Sequence, residues 1–314
     1  MFEVMTADAA VRDPLVYVVV ITWNGREHLE KCLPSLARTD YSNYRVLLVD
    51  NGSSDGSAAR ARELSPGIEV IALAQNLGFA AGNNRGMAHA IDHGADYVAL
   101  LNDDIEIIDT DWLTRAVNAA RSSPDLGMVG FQIVNSLNAP PVARAKAVMP
   151  VSHIPGCALL IKTSLLKRIG CFDEVYVNYF EEDDLELRAQ RAGYELRKVE
   201  ARIWHRSGGT SSRFPRRTQY LSIRNAIRCS IKNRPLWRTF LRCGRLLDIT
   251  CSPWPISMIP NDEAHRRARG AGSLLSNVGT YFSALGWNLL QLPNTIVARR
   301  REDRMIHSSA NVGR

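Results

Sequence analysis

The sequence predicts an α/β fold, with a mostly parallel central sheet flanked by helices and a helical, basic C-terminal extension. Three observations predict it. Short β-branched apolar runs alternate with helical patterns over the first two hundred residues, the order that gives parallel strands covered by helices. Each of the first four runs ends in a polar, turn-forming segment. The charge also changes sign along the chain: residues 1–200 hold 19 Lys and Arg against 27 Asp and Glu, whereas residues 201–314 hold 20 against 5. Two regions with different partners are implied.

The elements follow in order. VYVVVIT (16–22), YRVLLVD (44–50), IEVIAL (68–73) and YVALL (97–101) have strand length and strand composition. Between them Leu29, Leu33 and Leu36 recur at helical spacing, and residues 57–64 and 80–92 continue the alternation. Further on, Leu185, Ala189 and Ala192 mark a helix that Gly193 stops, which puts Glu181 to Asp184 in its first turn, and residues 195–199 give another strand. No internal repeat or low-complexity tract interrupts the pattern.

Composition excludes several classes. With 46% apolar and 23% charged residues, the 314-residue chain suits a globular protein with a sizeable core. Its six cysteines form no C-x-x-C pair, so neither a zinc site nor a disulfide framework is expected, and free thiols in a reducing compartment are. The first twenty residues carry acids where a signal peptide would be basic, and their apolar run is too short to span a bilayer. The bulk of the chain is therefore expected in the cytoplasm.

In open α/β sheets, ligands bind beyond the carboxyl ends of the strands. Here those ends read TWNG, DNGSSDGS, AQNLGFAAGNN and NDD. Asp, Asn and Gly also populate ordinary turns, but four such segments on one sheet edge point to a ligand. G-x-G-x-x-G does not follow the first strand and G-x-x-x-x-G-K-[ST] is absent. A nucleotide here needs another device, and Mg²⁺ or Mn²⁺ bridging a diphosphate needs only one or two carboxylates. Asp103 and Asp104 at a strand end can provide them. The second acidic cluster, Glu181 to Asp184, exceeds what a helix dipole calls for. Four crowded carboxylates raise one another's pKa, and a raised carboxylate is what a general base near neutrality requires.

The motifs VVVITWNGREHLEKCLPSL, VLLVDNGSSDGS, NLGFAAGNNRGM, VALLNDDIEI, GCALLIKTSLLKRIGCFDE, YFEEDDLELRAQRAGYEL and WHRSGGTS run in order from about Tyr17 to Asn225. This stretch resembles the inverting glycosyltransferases of family 2, with a GT-A fold and its Rossmann-like nucleotide-binding half, and among them rhamnosyltransferase-like members of cell-surface polysaccharide assembly. The resemblance implies that Thr22 and Asn24 line the nucleotide pocket and that Asp50 and Asn51 read base and ribose. Asn76, Gly78 and Asn83 would shape the wall beside it. The family's D-x-D motif stands here as Asn102-Asp103-Asp104, so Asp104 becomes the main metal carboxylate, with Asn102 and Asp103 on the donor side. His205 matches the family's C-terminal metal-binding histidine. Glu182 falls at the position of the base, one methylene longer than the usual Asp, with Asp184 as its rival. The implied donor is a nucleotide sugar, dTDP-rhamnose first and UDP-sugars next, and the implied acceptor is a glycan or polyprenyl-linked hydroxyl. Donor shape would be read by the loop between Val134 and Ile154.

The organisation expected is a tail over 1–15, a catalytic domain over 16–214, and a basic helical region over 215–314. Residues 270–298 carry no charge and lie between RRARG and RRRED. Polar residues dilute this run too far for insertion across a bilayer. Leu274, Val278, Tyr281, Phe282, Leu285 and Leu289, with Trp287, instead suit a helix lying on a membrane surface or packed on the catalytic domain. Two other classes compete. A nucleic-acid binder would use the basic, aromatic-interleaved stretch 212–240, but no nucleic-acid motif is present. A non-catalytic sugar-nucleotide scaffold would bind donor without turning it over.

Overall fold

The structure, a computed structural model, describes residues 12–140, 148–206, 213–251, 267–268 and 272–308. Most of the expected N-terminal tail, residues 141–147 of the donor loop, residues 207–212 of the last motif and most of the basic run before residue 271 lie outside the described residues.

The first strands are those expected: β1 (Val16–Thr22), β2 (Tyr44–Asp50), β3 (Glu69–Ala72) and β4 (Tyr97–Asn102), separated by α1 (Arg26–Leu36), α2 (Ser57–Leu64) and α3 (Phe79–Asp92). They pair in parallel in the order β3-β2-β1-β4. Beyond β4 the sheet becomes mixed. β5 (Ile105–Ile107), β6 (Leu126–Val134), β7 (Val148–Pro150), β8 (Ala158–Lys162) and β9 (Glu195–His205) follow, with α4 (Trp112–Ser122), α5 (Thr163–Ile169) and α6 (Glu181–Arg191) among them. β8 runs antiparallel to both β4 and β6, β9 is parallel to β6, and β5 and β7 run antiparallel to β9.

β1 sits between β2 and β4, and all seven of its residues are buried. That is why its sequence is continuously apolar rather than alternating. Successive side chains serve opposite faces. Val16, Val18 and Val20 join a core with Leu29, Cys32 and Leu36 of α1, while Tyr17 and Val19 join one with Met87 and Ala90 of α3. Register then fixes the site, because Thr22 lies opposite Asp50 and Ile21 opposite Asn102. The polar ends of three strands are thereby level.

Four helices complete the described chain: α7 (Pro215–Asn233), α8 (Leu236–Cys251), α9 (Leu274–Leu290) and α10 (Leu292–Ser308). α9 packs on α7 and α8 through Asn277, Tyr281, Ala284 and Asn288. Of the stripe expected to be its apolar contact face, Tyr281 is buried, but Leu274, Phe282 and Leu289 point outward and are more than half exposed. α8 shows the same polarity, with Leu236, Trp237, Phe240 and Leu241 exposed. No described helix is long and apolar enough to cross a membrane.

Candidate active site

The donor edge is assembled from loops that brace one another. Asn24, at φ 53°, donates its N–H to Ser53 Oγ at 2.9 Å and accepts Ser54 N–H at 2.8 Å, so the turns after β1 and β2 are joined. Asp50 Oδ1 accepts the N–H of Ser53 at 2.9 Å. Asn51 is buried, donating to Gly78 O at 3.0 Å and accepting from Leu77 N–H at 2.9 Å. Asn76 Oδ1 accepts the N–H of Gly78 at 2.8 Å. Asn51 and Asn76 thus shape the loop entering α3. Asn83 is buried on α3, its amide donating to Phe79 O at 3.0 Å. Gly78 has no tolerated replacement, since its φ is +87° and a Cβ would come within 2.6 Å of Val177.

At the end of β4 the two aspartates diverge. Asp103 turns back toward β1, accepting from Thr22 Oγ at 2.6 Å, with His28 Nδ1 at 3.5 Å. A side chain at Gly25 would collide with both Asp103 and Thr22. Burial raises the Asp103 pKa, against His28 and Thr22, which lower it. Asp104 faces β9, its buried Oδ1 lying 3.2 Å from His205 Nε2. Burial would raise the Asp104 pKa, but His205 outweighs it and the net shift is downward. For His205, burial works to lower the pKa and is outweighed by Asp104 and Cys157, leaving it at about 10. Asn102 Oδ1 is also buried without a partner.

This pair fits a divalent ion. Two ligand atoms 3.2 Å apart match the roughly 3 Å between neighbouring ligands of an octahedral ion at about 2.1 Å bond length. A carboxylate with imidazole suits Mn²⁺. A second group of metal-type donors, His153, Asp183 and Glu186, has ligand atoms within 4.8 Å of one another. Like Asp104 and His205, it is ion-paired: His153 Nδ1 lies 3.2 Å from Glu186, whose other oxygen accepts Ile154 N–H at 2.7 Å. The hydrogen bond to Glu186 holds His153 up to about 9, while burial pushes Glu186 up to about 7.

The acids expected in the first turn of α6 are there, and they part company. Asp184 is fully buried, accepting from Tyr176 Oη, Arg188 Nε and Asn233 Nδ2 at 3.2, 2.9 and 2.7 Å, with Lys232 Nζ at 3.0 Å. Lys232 also meets Asp173 at 2.8 Å and Glu302 at 2.7 Å. The Asp184 pKa is driven far below the usual carboxylate range, since Lys232 and Arg188 overcome its desolvation. With no exposed oxygen and a strongly stabilised anion, Asp184 is held as a buried ion-pair partner.

Glu182 differs in its partners and in the direction of its shift. Its Oε2 is buried with no partner, and its Oε1 lies where a Cβ on Gly156 would approach within 2.9 Å. Burial raises its pKa, helped by Asp183 and opposed by His153. Gly156 adjoins Cys157, whose carbonyl accepts Asn102 N–H at 3.0 Å and whose side chain touches the His205 environment. Glu182 and the Asp104–His205 pair thus flank the same two residues at the start of β8.

Several site residues carried no sequence signal: His28 behind Asp103, His153 and Glu186 beside the acidic turn, and Arg224 and Asn225 of α7 beneath it. Each acts through a partner 33 to 75 residues away in the chain, a separation that no local spacing reports.

The pattern of Glycosyl transferase family 2 matches residues 17–172. An N-acetylglucosaminyl-diphospho-decaprenol L-rhamnosyltransferase of Mycobacterium tuberculosis is 27% identical over 239 residues, 63% of this chain and 78% of that one. A low-salt glycan biosynthesis hexosyltransferase of Haloferax volcanii, Agl10, is 26% identical over 231 residues, 66% of this chain and 73% of that one. Among solved structures, a Pyrobaculum calidifontis mannosyltransferase in complex with GDP-Man and Mn²⁺ is 18% identical and superposes with a TM-score of 0.54, covering 95% of this chain and 85% of that one. S. aureus TarS 1–349 in complex with UDP-GlcNAc is 16% identical and gives 0.57, covering 96% and 92%. The mixed sheet, its helices and the sequence match agree: the chain has the GT-A fold and belongs to the family 2 glycosyltransferases.

Proposed function

We propose that this glycosyltransferase is metal-dependent and inverting, with a nucleoside diphosphate sugar as donor and a hydroxyl of a glycan or polyprenyl-linked intermediate as acceptor, in cell-surface polysaccharide assembly. The observation that carries the reading is the approach of an unpartnered Glu182 oxygen and the Asp104–His205 pair to the same Gly156–Cys157 segment. A base for the acceptor and a holder for the diphosphate have to stand on opposite sides of one reacting carbon. dTDP-rhamnose is the first donor to test, on the likeness to the mycobacterial enzyme, and UDP-sugars are next, on the likeness to TarS.

In this reading Asp104 and His205 would hold a divalent ion, Mn²⁺ or Mg²⁺, which would supply charge neutralisation for the departing diphosphate. Thr22, Asn24 and Asp50 line the nucleotide side, and Asn51, Asn76, Gly78 and Asn83 set the shape of its wall. Asn102 and Asp103 close the strand end, Asp103 through its bonds to Thr22 and His28. Glu182 takes the proton from the acceptor hydroxyl as its oxygen attacks from the face opposite the nucleotide, so the configuration at the anomeric carbon inverts.

Residues 16–214 form the catalytic unit in this proposal, and 215–314 attach it to the cytoplasmic face of a membrane. Support comes from the outward Leu, Trp and Phe of α8 and α9 and from exposed Arg238, which stands on α8 beside Trp237. A nucleic-acid surface draws less support, since Arg224, Arg228, Lys232 and Arg299 all bond within the protein.

The test is a panel of nucleotide sugars scored for thermal stabilisation and for nucleoside diphosphate release, with and without chelator. One donor class should give metal-dependent release that increases with a polyprenyl-linked acceptor. Full activity in excess chelator would overturn the metal assignment, and binding without turnover of any donor would favour the scaffold reading.

A further inference from the structure

The turn that leads into α6 holds a conformation its residue types disfavour. Val177, Tyr179 and Phe180 have φ of 64°, 73° and 69°. Positive φ is uncommon outside glycine and a genuine outlier for a β-branched or bulky residue. Such a backbone persists only where its surroundings over-determine it. α6 does not supply that constraint itself, because its N-cap is Phe180, which makes no side-chain capping bond.

The constraint comes from two consecutive residues of α7. Asn225, fully buried, directs its amide nitrogen at the carbonyls of Tyr176, Asn178 and Tyr179, at 2.9, 2.7 and 2.8 Å. Arg224 Nη2 donates to the carbonyls of Val175 and Tyr176 at 2.7 and 3.0 Å, and its Nε donates to Asn225 Oδ1 at 2.8 Å. An amide buried only to be satisfied needs one or two acceptors. This one shares its two protons among three carbonyls of a single turn, and the guanidinium beside it donates to one of those and to Val175 O as well.

The far side of the same turn meets the donor loop. Val177 O accepts Ala80 N–H at 3.0 Å, and Asn178 Oδ1 accepts Phe79 N–H at 2.9 Å. Glu181 and Glu182 follow directly in the chain. The turn therefore touches the donor wall, the acidic turn of α6 and the C-terminal helices at once. The grip is itself anchored, since Asn288 Nδ2 donates to Arg224 O at 2.9 Å and the Trp287 ring lies 4.5 Å from the Arg224 guanidinium.

We propose that Arg224 and Asn225 are positioning residues that hold the Val177–Phe180 turn and so set Glu182 at a fixed distance from the donor pocket. The proposal rests on the reading of Glu182 as the base. It makes the C-terminal region part of the catalytic apparatus.

The experiment compares full-length wild type, Asn225→Ala, Asn225→Gln and Tyr281→Phe. The last loses a different hydrogen bond of the same helical layer, from Tyr281 Oη to Cys243 O. Melting temperature, amide exchange over the whole chain, calorimetric binding of UDP and dTDP with Mn²⁺, and kcat and KM against pH are measured. Asn225→Ala should lower kcat on the order of 10²-fold, the effect of displacing a reacting group by about 1 Å. Nucleoside diphosphate binding should hold, exchange should quicken over residues 176–184, and the acid limb of the pH profile should move. Asn225→Gln, which keeps an amide donor, should recover part of the rate, and Tyr281→Phe should change melting temperature without changing kcat. Where Asn225→Ala does not fold, Asn225→Ser takes its place with the same expectations. Wild-type kcat and pH profile in the variant, or faster exchange spread evenly over α7 to α9, would overturn the proposal. If wild type turns over no nucleotide sugar, the reading of Glu182 fails separately, and exchange confined to 176–184 still decides whether the two residues hold the turn.

Discussion

The α/β half of the molecule buries almost only apolar side chains around its strands, whereas the C-terminal helices bury polar and charged groups alongside their apolar ones. Between β1 and its neighbours the interior is Val, Leu and Ile, and polar groups gather only at the strand ends. Between α7 and α9 the interior includes Gln219, Asn225, Lys232, Asn277 and Asn288, while Leu, Trp and Phe face outward. The first arrangement follows from the hydrophobic effect alone. In the second, polar groups are buried among Ile, Leu and Ala and most find partners, and for Asn225, Arg228 and Lys232 some of those partners lie in the catalytic half. Part of the positive charge of the last third is therefore internal. The same arrangement leaves an apolar exterior for something else to cover.

Two acids two residues apart give the largest effect by which to break that contrast. Glu182→Gln removes basicity at constant size and should abolish transfer while leaving donor binding and melting temperature near wild type, measured by single-turnover kinetics and calorimetry. Asp184→Asn should act on the fold instead. Removing one partner of a buried ion pair costs about 3–5 kcal/mol, so its loss should appear in denaturant unfolding. If Asp184→Asn folds as wild type yet is dead, and Glu182→Gln transfers sugar, the two roles are exchanged.

Next in size is the strand-end pair. Asp104→Asn and His205→Ala should each lower kcat by about 10²-fold or more, the scale of losing one stabilising group at the leaving oxygen. Asp103→Asn should cost less, because its carboxylate is engaged with Thr22 and His28. Equal losses at 103 and 104 would mean that both acids serve the diphosphate directly.

How far the sequence could be read follows the same division. Strand ends were legible because a buried parallel strand must stop being apolar where it meets a ligand, and β1, β2 and β4 stop at Thr22, Asp50 and Asn102. The helix over Glu181–Arg191 was legible from spacing and from Gly193. Among the strands past β4 only the first half of β9 was legible, and β6 was not, since it carries Gly127 and Gly130 and pairs with β9 through two register shifts. The fate of Asp184 was hidden for another reason: Lys232 is 48 residues away, and nothing local distinguishes an acid that will meet it. On α9, periodicity located a helix but left open whether its stripe lay on a membrane surface or packed on the catalytic domain, and the structure divides the stripe, with Tyr281 buried and Leu274, Phe282 and Leu289 outward.

Acidification should separate the two halves more gently. Asp173 and Asp184 both have pKa values below the usual aspartate value, each opposed by burial and lowered by Lys232 with Arg228 or Arg188. Acids depressed in the folded state contribute stability that is present above their unfolded pKa, roughly 4, and lost as pH falls through the folded values. Melting temperature should therefore drop steeply below about pH 4. Amides of α7 should lose exchange protection before those of β1. Simultaneous loss would show that the ion-pair layer and the sheet unfold as one unit.

The smallest effect concerns the apolar exterior. Deleting residues 270–314 would be a poor test of membrane attachment, because it also removes Asn288 from Arg224 and Glu302 from Lys232. Outward side chains on α8 give a cleaner one. Trp237 and Phe240 are 58% and 75% exposed, so Trp237→Ser and Phe240→Ser should leave melting temperature and kcat on a soluble acceptor unchanged. Burying an aromatic side chain is worth about 1.5–3 kcal/mol, so each substitution should weaken binding to anionic vesicles roughly tenfold. Basic residues add about 1 kcal/mol each when close to an anionic surface, so added salt should weaken wild type and both variants in parallel. Turnover of a polyprenyl-linked acceptor in vesicles should fall with binding, while turnover in detergent should not. Wild-type protein that ignores vesicles at low salt would leave the outward apolar face to a protein partner instead of a lipid surface.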